Sequence, residues 1–295
     1  MAKFASASKQ AASVMKQLQG NIIKSVGTVR DYESSLRVAA QWAKNNQIKG
    51  GLRGMSPNDA NRFLSERAER VGEKTVDQNR QALQAMMHFI TGKLPLNERL
   101  NTHIKGIPAK LESRTYTSAQ VKIIASFQTE RNSLATEIAY SAGLRAAELI
   151  TLRPINERAT SDRPALREKF SGLKQSVAYS VQGKGGLIRE IRLPIALASK
   201  LEEKRLKEPI LVKDRGIYRE KFYDIGGGNA WSKSFTIASQ KAFGWSNGAH
   251  GLRHSYAQNR MLSLKHQGFS DSHAKETVSQ EVGHFRPDIT ETYLR

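Results

Sequence analysis

The sequence predicts a mainly α-helical chain with a small antiparallel β-sheet, organised as a two-domain clamp. Three observations lead there. Apolar residues recur three or four apart over most of the 295 residues, the period of helices that bury one face. The stretch 173–194 alternates with a period of two instead. Around Gly106 and Pro108 neither period holds, so a helical domain over 1–95, a linker over 96–115 and a second domain over 116–295 are expected.

Taken in order, Ala11, Val14, Met15, Leu18 and Ile22 mark a basic amphipathic helix over 5–24, with Lys9, Lys16 and Lys24 among them. Val29, Tyr32, Leu36, Ala39 and Ala43 mark a second over 28–45, with Thr28 as its cap. Gly50, Gly51 and Gly54 break the chain before Ser56-Pro57, a capping hydroxyl followed by proline at the first helical position. That third helix carries Ala60, Phe63, Leu64 and Ala68; a fourth spans 74–91 on Val76, Leu83, Met86 and Ile90 and ends at Gly92 and Pro95. Further helices are expected at 118–127, 130–142, 146–152, 195–207, 230–243, 251–264 and 273–283. Within the alternating stretch Val177, Tyr179 and Val181 lead into Gly183-Lys184-Gly185-Gly186, and Ile191 and Leu193 follow, so Lys184 sits at the tip of a β-hairpin. The glycines 226–228 are not followed by Lys-Ser or Lys-Thr, which excludes a phosphate-binding P-loop and leaves a flexible connector. Trp231, Phe235 and Phe243 recur at helical spacing and read as core.

Composition narrows the partner. Forty-seven Lys and Arg stand against 27 Asp and Glu, a net charge of +20, which points to a polyanion. The excess is +10 over residues 1–115 and +10 over 116–295, interleaved with apolar residues rather than gathered in a tail, so both parts are expected to be folded and to face nucleic acid. The absence of cysteine excludes a disulfide framework, thiolate zinc sites and a cysteine nucleophile. No stretch has the ~18 apolar residues of a membrane span, and the N-terminus lacks the apolar core of a signal peptide. A cytoplasmic or nucleoid-associated protein without a membrane partner is expected.

Arg145, Lys184, His250, Arg253, His284 and Tyr293 supply two guanidinium forks, one ammonium, two imidazoles and a phenol. These suit phosphoryl transfer without a metal or cofactor. Arginine forks match the oxygens of a phosphodiester bidentately and stay protonated. A phenol can attack phosphorus and leaves again more readily than an aliphatic hydroxyl, and an ammonium can protonate a departing 5′ oxygen. Singly, each reading is weak: Arg145 as a surface charge, Lys184 as a solvated hairpin tip and Tyr293 as a packing residue all have ordinary precedents. His250 and His254 stand four apart, a metal-binding spacing on a helix, but no cysteine or paired carboxylate nearby completes a site.

As an ordered set these residues resemble the tyrosine recombinases, or integrases, of phage, Xer and Cre type. Ala142-Gly143-Leu144-Arg145-Ala146-Ala147-Glu148-Leu149 resembles the box whose arginine binds the scissile phosphate and whose acidic residue supports the pocket. Gly183-Lys184-Gly185-Gly186 is similar to the hairpin bearing the catalytic lysine. His250-Gly251-Leu252-Arg253-His254 resembles the His-x-x-Arg box, and Val282-Gly283-His284 followed nine positions later by Tyr293 resembles the box with the second histidine and the nucleophile. The resemblance covers about 116–295; for 1–115 it implies only a helical core-binding domain. It implies a phosphotyrosyl intermediate, a homotetramer pairing two double-stranded DNA sites through a four-way junction, accessory DNA-bending proteins in some members, and a bacterial or phage origin. Arg253 and His284 lie 31 positions apart, which suggests an enlarged loop around 263–273. Only Leu294 and Arg295 follow Tyr293, so subunit contacts are expected on other surfaces, with helix 5–24 the candidate. Two rivals stay open: a catalytically silent DNA-binding protein, and a type IB topoisomerase or telomere resolvase sharing the chemistry without synapsis.

Overall fold

Two units divide the chain, Met1–Lys110 and Leu111–Arg295; the computed structural model describes residues 5–108 and 112–294. The first unit is a helical bundle of α1 (Ala7–Leu18), α2 (Val26–Asn45), α3 (Gly51–Gly54), α4 (Pro57–Ala68) and α5 (Glu73–Met86). Its entry signals work as the residues dictate. Ser56 Oγ accepts from Asp59 N while Asp59 Oδ2 accepts from Ser56 N, a reciprocal capping box ahead of Pro57. The second helix starts two residues before Thr28, with Ser25 at its cap position. Met87–Thr91 continues α5 as a π-helical turn that stops at Gly92, where φ is +64°. Leu18, Leu36, Phe63, Leu64 and Leu83 form the core. Ile22 is 40 % exposed, and Ile23 is buried in its place. Part of the segment read as a linker packs on this bundle: Leu100 is buried and Ile107 N donates to Val71 O at 2.9 Å.

The second unit contains α6 (Ser118–Ser126), α7 (Glu130–Ala142), strands β1 (Arg153–Pro154), β2 (Ser176–Gln182) and β3 (Ile188–Pro194), then α8 (Ile195–Glu202), strands β4 (Arg205–Asp214) and β5 (Ile217–Tyr223), and helices α9 (Gly228–Phe243), α10 (Gly251–His266), α11 (Asp271–Glu281) and α12 (Pro287–Thr290). An antiparallel sheet runs β1-β2-β3, with Tyr179 opposite Ile191 and Val181 opposite Arg189. Tyr179, Val181, Ile191, Leu193, Trp231 and Phe235 meet in one core, and Phe243 packs partly buried against it.

Four expectations are corrected. The helix over 195–207 ends at Glu202, and a second hairpin, β4–β5, follows it. Its apolar residues fall in adjacent runs, Ile210-Leu211-Val212 and Phe222-Tyr223, so no period of two marked it in the sequence. The helix over 146–152 is a 3₁₀ turn, Glu148–Thr151. The enlarged loop around 263–273 is absent from the described residues: α10 reaches His266 and α11 starts at Asp271, with Ser270 Oγ capping His273 N. The extra spacing is helix. Finally, glycines 226–228 are packed rather than a free connector, because Gly226 N donates to Arg131 O and Gly228 N to Ala146 O. A Cβ on Gly227 would come within 2.8 Å of Ile150 Cγ1, so glycine is needed for this close approach.

Candidate active site

Four chain segments converge at the ends of α7, α10 and α11. Gly143 closes α7 with φ +61°, and a Cβ there would meet the Tyr256 ring at 2.6 Å; only glycine suits both demands. The next turn returns Arg145 onto Glu148: Arg145 N donates to Oε2 at 2.8 Å and Nη1 to Oε1 at 2.9 Å. Arg253, in the first turn of α10, is fully buried and spans the gap between helices. Its Nη1 donates to Gly143 O at 2.6 Å and its Nη2 to Val282 O. One fork thus holds the end of α7 and the end of α11 at a common place.

Tyr293, in a 3₁₀ turn after α12, is 6 % exposed. Its hydroxyl lies 3.3 Å from His284 Nε2, and the two rings stack with centroids 5.2 Å apart and planes 17° off parallel. Arg145 Nη2 donates to the same Nε2 at 2.8 Å, and Arg253 Nη2 lies 3.4 Å from it. Arginine carries no acceptor, so Nε2 holds the lone pair and the imidazole proton is assigned to Nδ1. His250 caps α10, its ring centroid 5.6 Å from that of Tyr293, and His254 meets the Tyr293 ring edge-on at 4.9 Å. Lys184 opens the 3₁₀ turn at the tip of the β2–β3 hairpin; its side chain lies outside the described residues. The hairpin tip is nonetheless beside the cluster, since a Cβ on Gly183 would lie 3.2 Å from Glu148 Oε1 and 3.9 Å from Arg145 Nη1. The structure therefore gathers Arg145, His250, Arg253, His284 and Tyr293, and brings the backbone next to Lys184 to the same pocket.

Electrostatics follow from this crowding. Burial alone would push the Glu148 carboxyl up, but Arg189, Arg253 and Arg145 outweigh it and hold the carboxyl well below its usual range. Burial, then Arg253 and Arg145, pushes His284 down to about 3. Local crowding, then Arg253 and His254, push His250 down to about 4, although the residue as a whole is exposed. Arg253 falls to about 10, chiefly by burial, and stays charged near neutrality. The site thus presents fixed cations and neutral imidazoles, a setting suited to an anion, with a proton acceptor beside the Tyr293 hydroxyl. Among the described residues no group of three His, Asp or Glu side chains is placed to hold a metal.

The depressed imidazoles also bear on stability. Above their unfolded value of about 6.5 neither state is protonated and they contribute nothing to pH dependence. As pH falls below that value the unfolded chain takes up protons first, so stability is lost down to the folded values, and Glu148 extends the loss at lower pH. We expect the urea midpoint of the DNA-free protein to fall from about pH 7 to about pH 5, and to fall less in the His250→Gln/His284→Gln variant. Equal slopes in the two proteins would show that these imidazoles are not held neutral by the fold.

No protein-family model and no curated protein matches the sequence. Solved structures do match. A XerH site-specific recombinase bound to palindromic difH substrate in a post-cleavage complex aligns over 98 % of this chain and 81 % of its own, with TM-score 0.59 and 16 % identity. A lambda integrase dimer bound to a COC′ core site aligns over 97 % and 76 %, with TM-score 0.59 and 15 % identity. The Tn1549 transposon integrase in complex with circular intermediate DNA aligns over 99 % and 95 %, with TM-score 0.51 and 15 % identity. The chain has the tyrosine recombinase fold.

Within this tyrosine recombinase fold, two residues beside the predicted set escaped the sequence reading. Arg189 is 3 % exposed and donates from Nη2 to Glu148 Oε2 at 2.8 Å and from Nη1 to Glu281 O at 2.6 Å. A charge at an inward-facing strand position, in step with Ile191 and Leu193, was its available signal. His254, whose spacing from His250 suits a metal ligand on a helix, packs instead on Tyr293, one helical turn beyond His250. Behind both, Glu281 is fully buried and receives Tyr256 Oη, Arg260 Nε and Arg260 Nη2 at 2.7–2.9 Å, which anchors the end of α11 just before His284.

Proposed function

We propose that the chain is a tyrosine-type site-specific DNA recombinase, an integrase that cleaves and rejoins strands through a 3′-phosphotyrosyl intermediate. The observation that supports this best is the Tyr293 hydroxyl at 3.3 Å from His284 Nε2, with the Arg145 and Arg253 forks on the same nitrogen. When a scissile phosphate enters, its non-bridging oxygens compete for the two forks. Nε2 is then freed to take the phenolic proton. The Tyr293 oxygen attacks phosphorus and the bond to the 5′ oxygen breaks. That oxygen leaves with a proton from Lys184, and His250 assists the proton transfers. Glu148 and Arg189 hold Arg145 in place. No metal or cofactor enters these steps. Reversal by another strand's 5′ hydroxyl rejoins the DNA.

The first unit serves as a core-binding domain, and both units contact the duplex. A homotetramer on paired sites exchanges strands through a four-way junction, with accessory DNA-bending proteins as further partners and helix α1 as a candidate assembly surface. Duplex DNA is the substrate class that matches the +20 charge. If six or more phosphates are neutralised, affinity should fall roughly 10³-fold or more between about 50 and 200 mM salt. A flat salt response would rule out these contacts.

The direct test begins with a footprint over DNA flanking the protein's own gene, to find a site. A nicked version of that site, from which the cleaved flank diffuses away, should then trap a covalent complex mapping to Tyr293 and a 3′ phosphate. Specific footprinting without any covalent product would favour the silent DNA-binding reading. Relaxation of plasmids lacking the site would favour a topoisomerase.

A further inference from the structure

Behind the candidate active site, the segment between β1 and β2 runs along the edge of β3, where Ser161 N donates to Ile188 O, and borders a partly open cleft of 240 Å³. Its lining is unusual for a structural gap. Arg163, Lys169 and Arg192 contribute three cations against the carboxylate of Glu190, Thr160 and Ser161 add hydroxyls, and Arg189 also lines the cavity but has its guanidinium paired with Glu148. Glu190 is engaged with Arg192 at 2.6 Å. Lys169 makes no ion pair among the described residues; its ammonium lies 5.1 Å from the centroid of the Phe170 ring. Burial lowers its affinity for a proton; Glu190 and Glu281 act against this, while Arg189 and Arg192 add to it, so the ammonium sits in a mixed field with carboxylates near it but none in direct contact.

The backbone around the cavity is held under strain. Among the described residues four non-glycine positions have positive φ, and two of them, Phe170 at +66° and Phe285 at +55°, line this cavity. A bulky residue in that region is strained and persists where the surroundings over-determine it, often at ligand sites. The segment is also pinned from outside, by Phe170 N on Glu281 Oε1 at 3.0 Å and Leu166 N on Gln280 Oε1 at 2.8 Å.

We infer that this cavity is a second phosphate-binding site, separate from the pocket around Tyr293, that takes a phosphate group from the DNA backbone or from a small phosphorylated molecule. Guanidinium forks, an ammonium and hydroxyls match a tetrahedral anion with several oxygens better than a lone carboxylate. Arg189 links the two places: it lines the cavity, and its guanidinium holds Glu148, whose other oxygen holds Arg145. The inference does not require strand exchange, because binding can be read without any cleavage.

The test uses the full chain with Arg145→Gln, which weakens the first pocket, and inorganic pyrophosphate as probe in calorimetric titrations. Saturable binding is expected, weakened about tenfold or more by adding Lys169→Gln and regained with Lys169→Arg, which keeps the charge. In parallel, the salt dependence of duplex DNA binding is measured for wild type and Lys169→Gln. A slope lower by about 0.9 in the variant assigns the site to a DNA phosphate. Pyrophosphate binding with an unchanged slope assigns it to a small molecule. Pyrophosphate binding that is absent or indifferent to Lys169→Gln, together with an unchanged slope, overturns the inference.

Discussion

Tyr293→Phe is expected to leave DNA binding intact and to eliminate the covalent complex. The substitution removes one hydroxyl, whose contact is the 3.3 Å approach to His284 Nε2, and keeps the ring stacked on His284 and beneath the Arg253 guanidinium 5.4 Å away. Arg145→Ala and Arg253→Ala should also lose cleavage while Tyr293 remains, since each removes donors that strengthen as charge grows on the phosphate. Losing one such donor typically costs about 10²–10³ in rate. Arg145 is the cleaner experiment because Arg253 also braces Gly143 and Val282. Lys184→Ala should be rescued by a substrate with sulfur in place of the leaving 5′ oxygen, which needs no proton donor, whereas Tyr293→Phe should not. Covalent trapping on the nicked site that persists in Tyr293→Phe would remove Tyr293 as nucleophile.

Glu148→Gln is expected to cause the largest loss of stability of any single substitution at the site. The carboxylate is 1 % exposed and faces Arg189 at 2.8 Å, Arg145 at 2.9 Å and Arg253 at 3.8 Å. Arg189 and Arg253 are themselves buried, so the neutral amide leaves two desolvated cations without an anion. Removing one partner of such a pair costs about 3–5 kcal/mol, to be read as a lower urea midpoint at unchanged slope. An exposed pair offers the control: Glu130 meets Lys204 at 2.6 Å but is 77 % exposed, and Glu130→Gln should not move the midpoint measurably. A loss below about 1 kcal/mol for Glu148→Gln would mean the guanidinium cluster is stabilised by something other than this carboxylate.

Where local chemistry decides structure, the sequence alone was enough. The Ser56-Pro57 helix start, the β2–β3 hairpin and the apolar stripe of Trp231 and Phe235 follow from capping, alternation and helical period, each set by residues only a few positions apart. The order of Arg145, His250, Arg253, His284 and Tyr293 was likewise legible, because their chemical types recur in a pattern. The tertiary structure decided what those residues touch. Gly143 and Arg253 are 110 positions apart, and Arg189 and Glu148 are 41 apart; no local period encodes such pairings. The β4–β5 hairpin stayed hidden because β4 is largely exposed and, in β5, the inward positions are filled by Lys221 and Tyr223 and not by a run of alternating aliphatics. Glycines 226–228 looked like slack in the sequence, and only the approach of Arg131 O and Ala146 O made them a tight contact. Helix period and turn chemistry are properties of neighbouring residues, whereas burial of a charge depends on which distant carboxylate the fold brings to meet it.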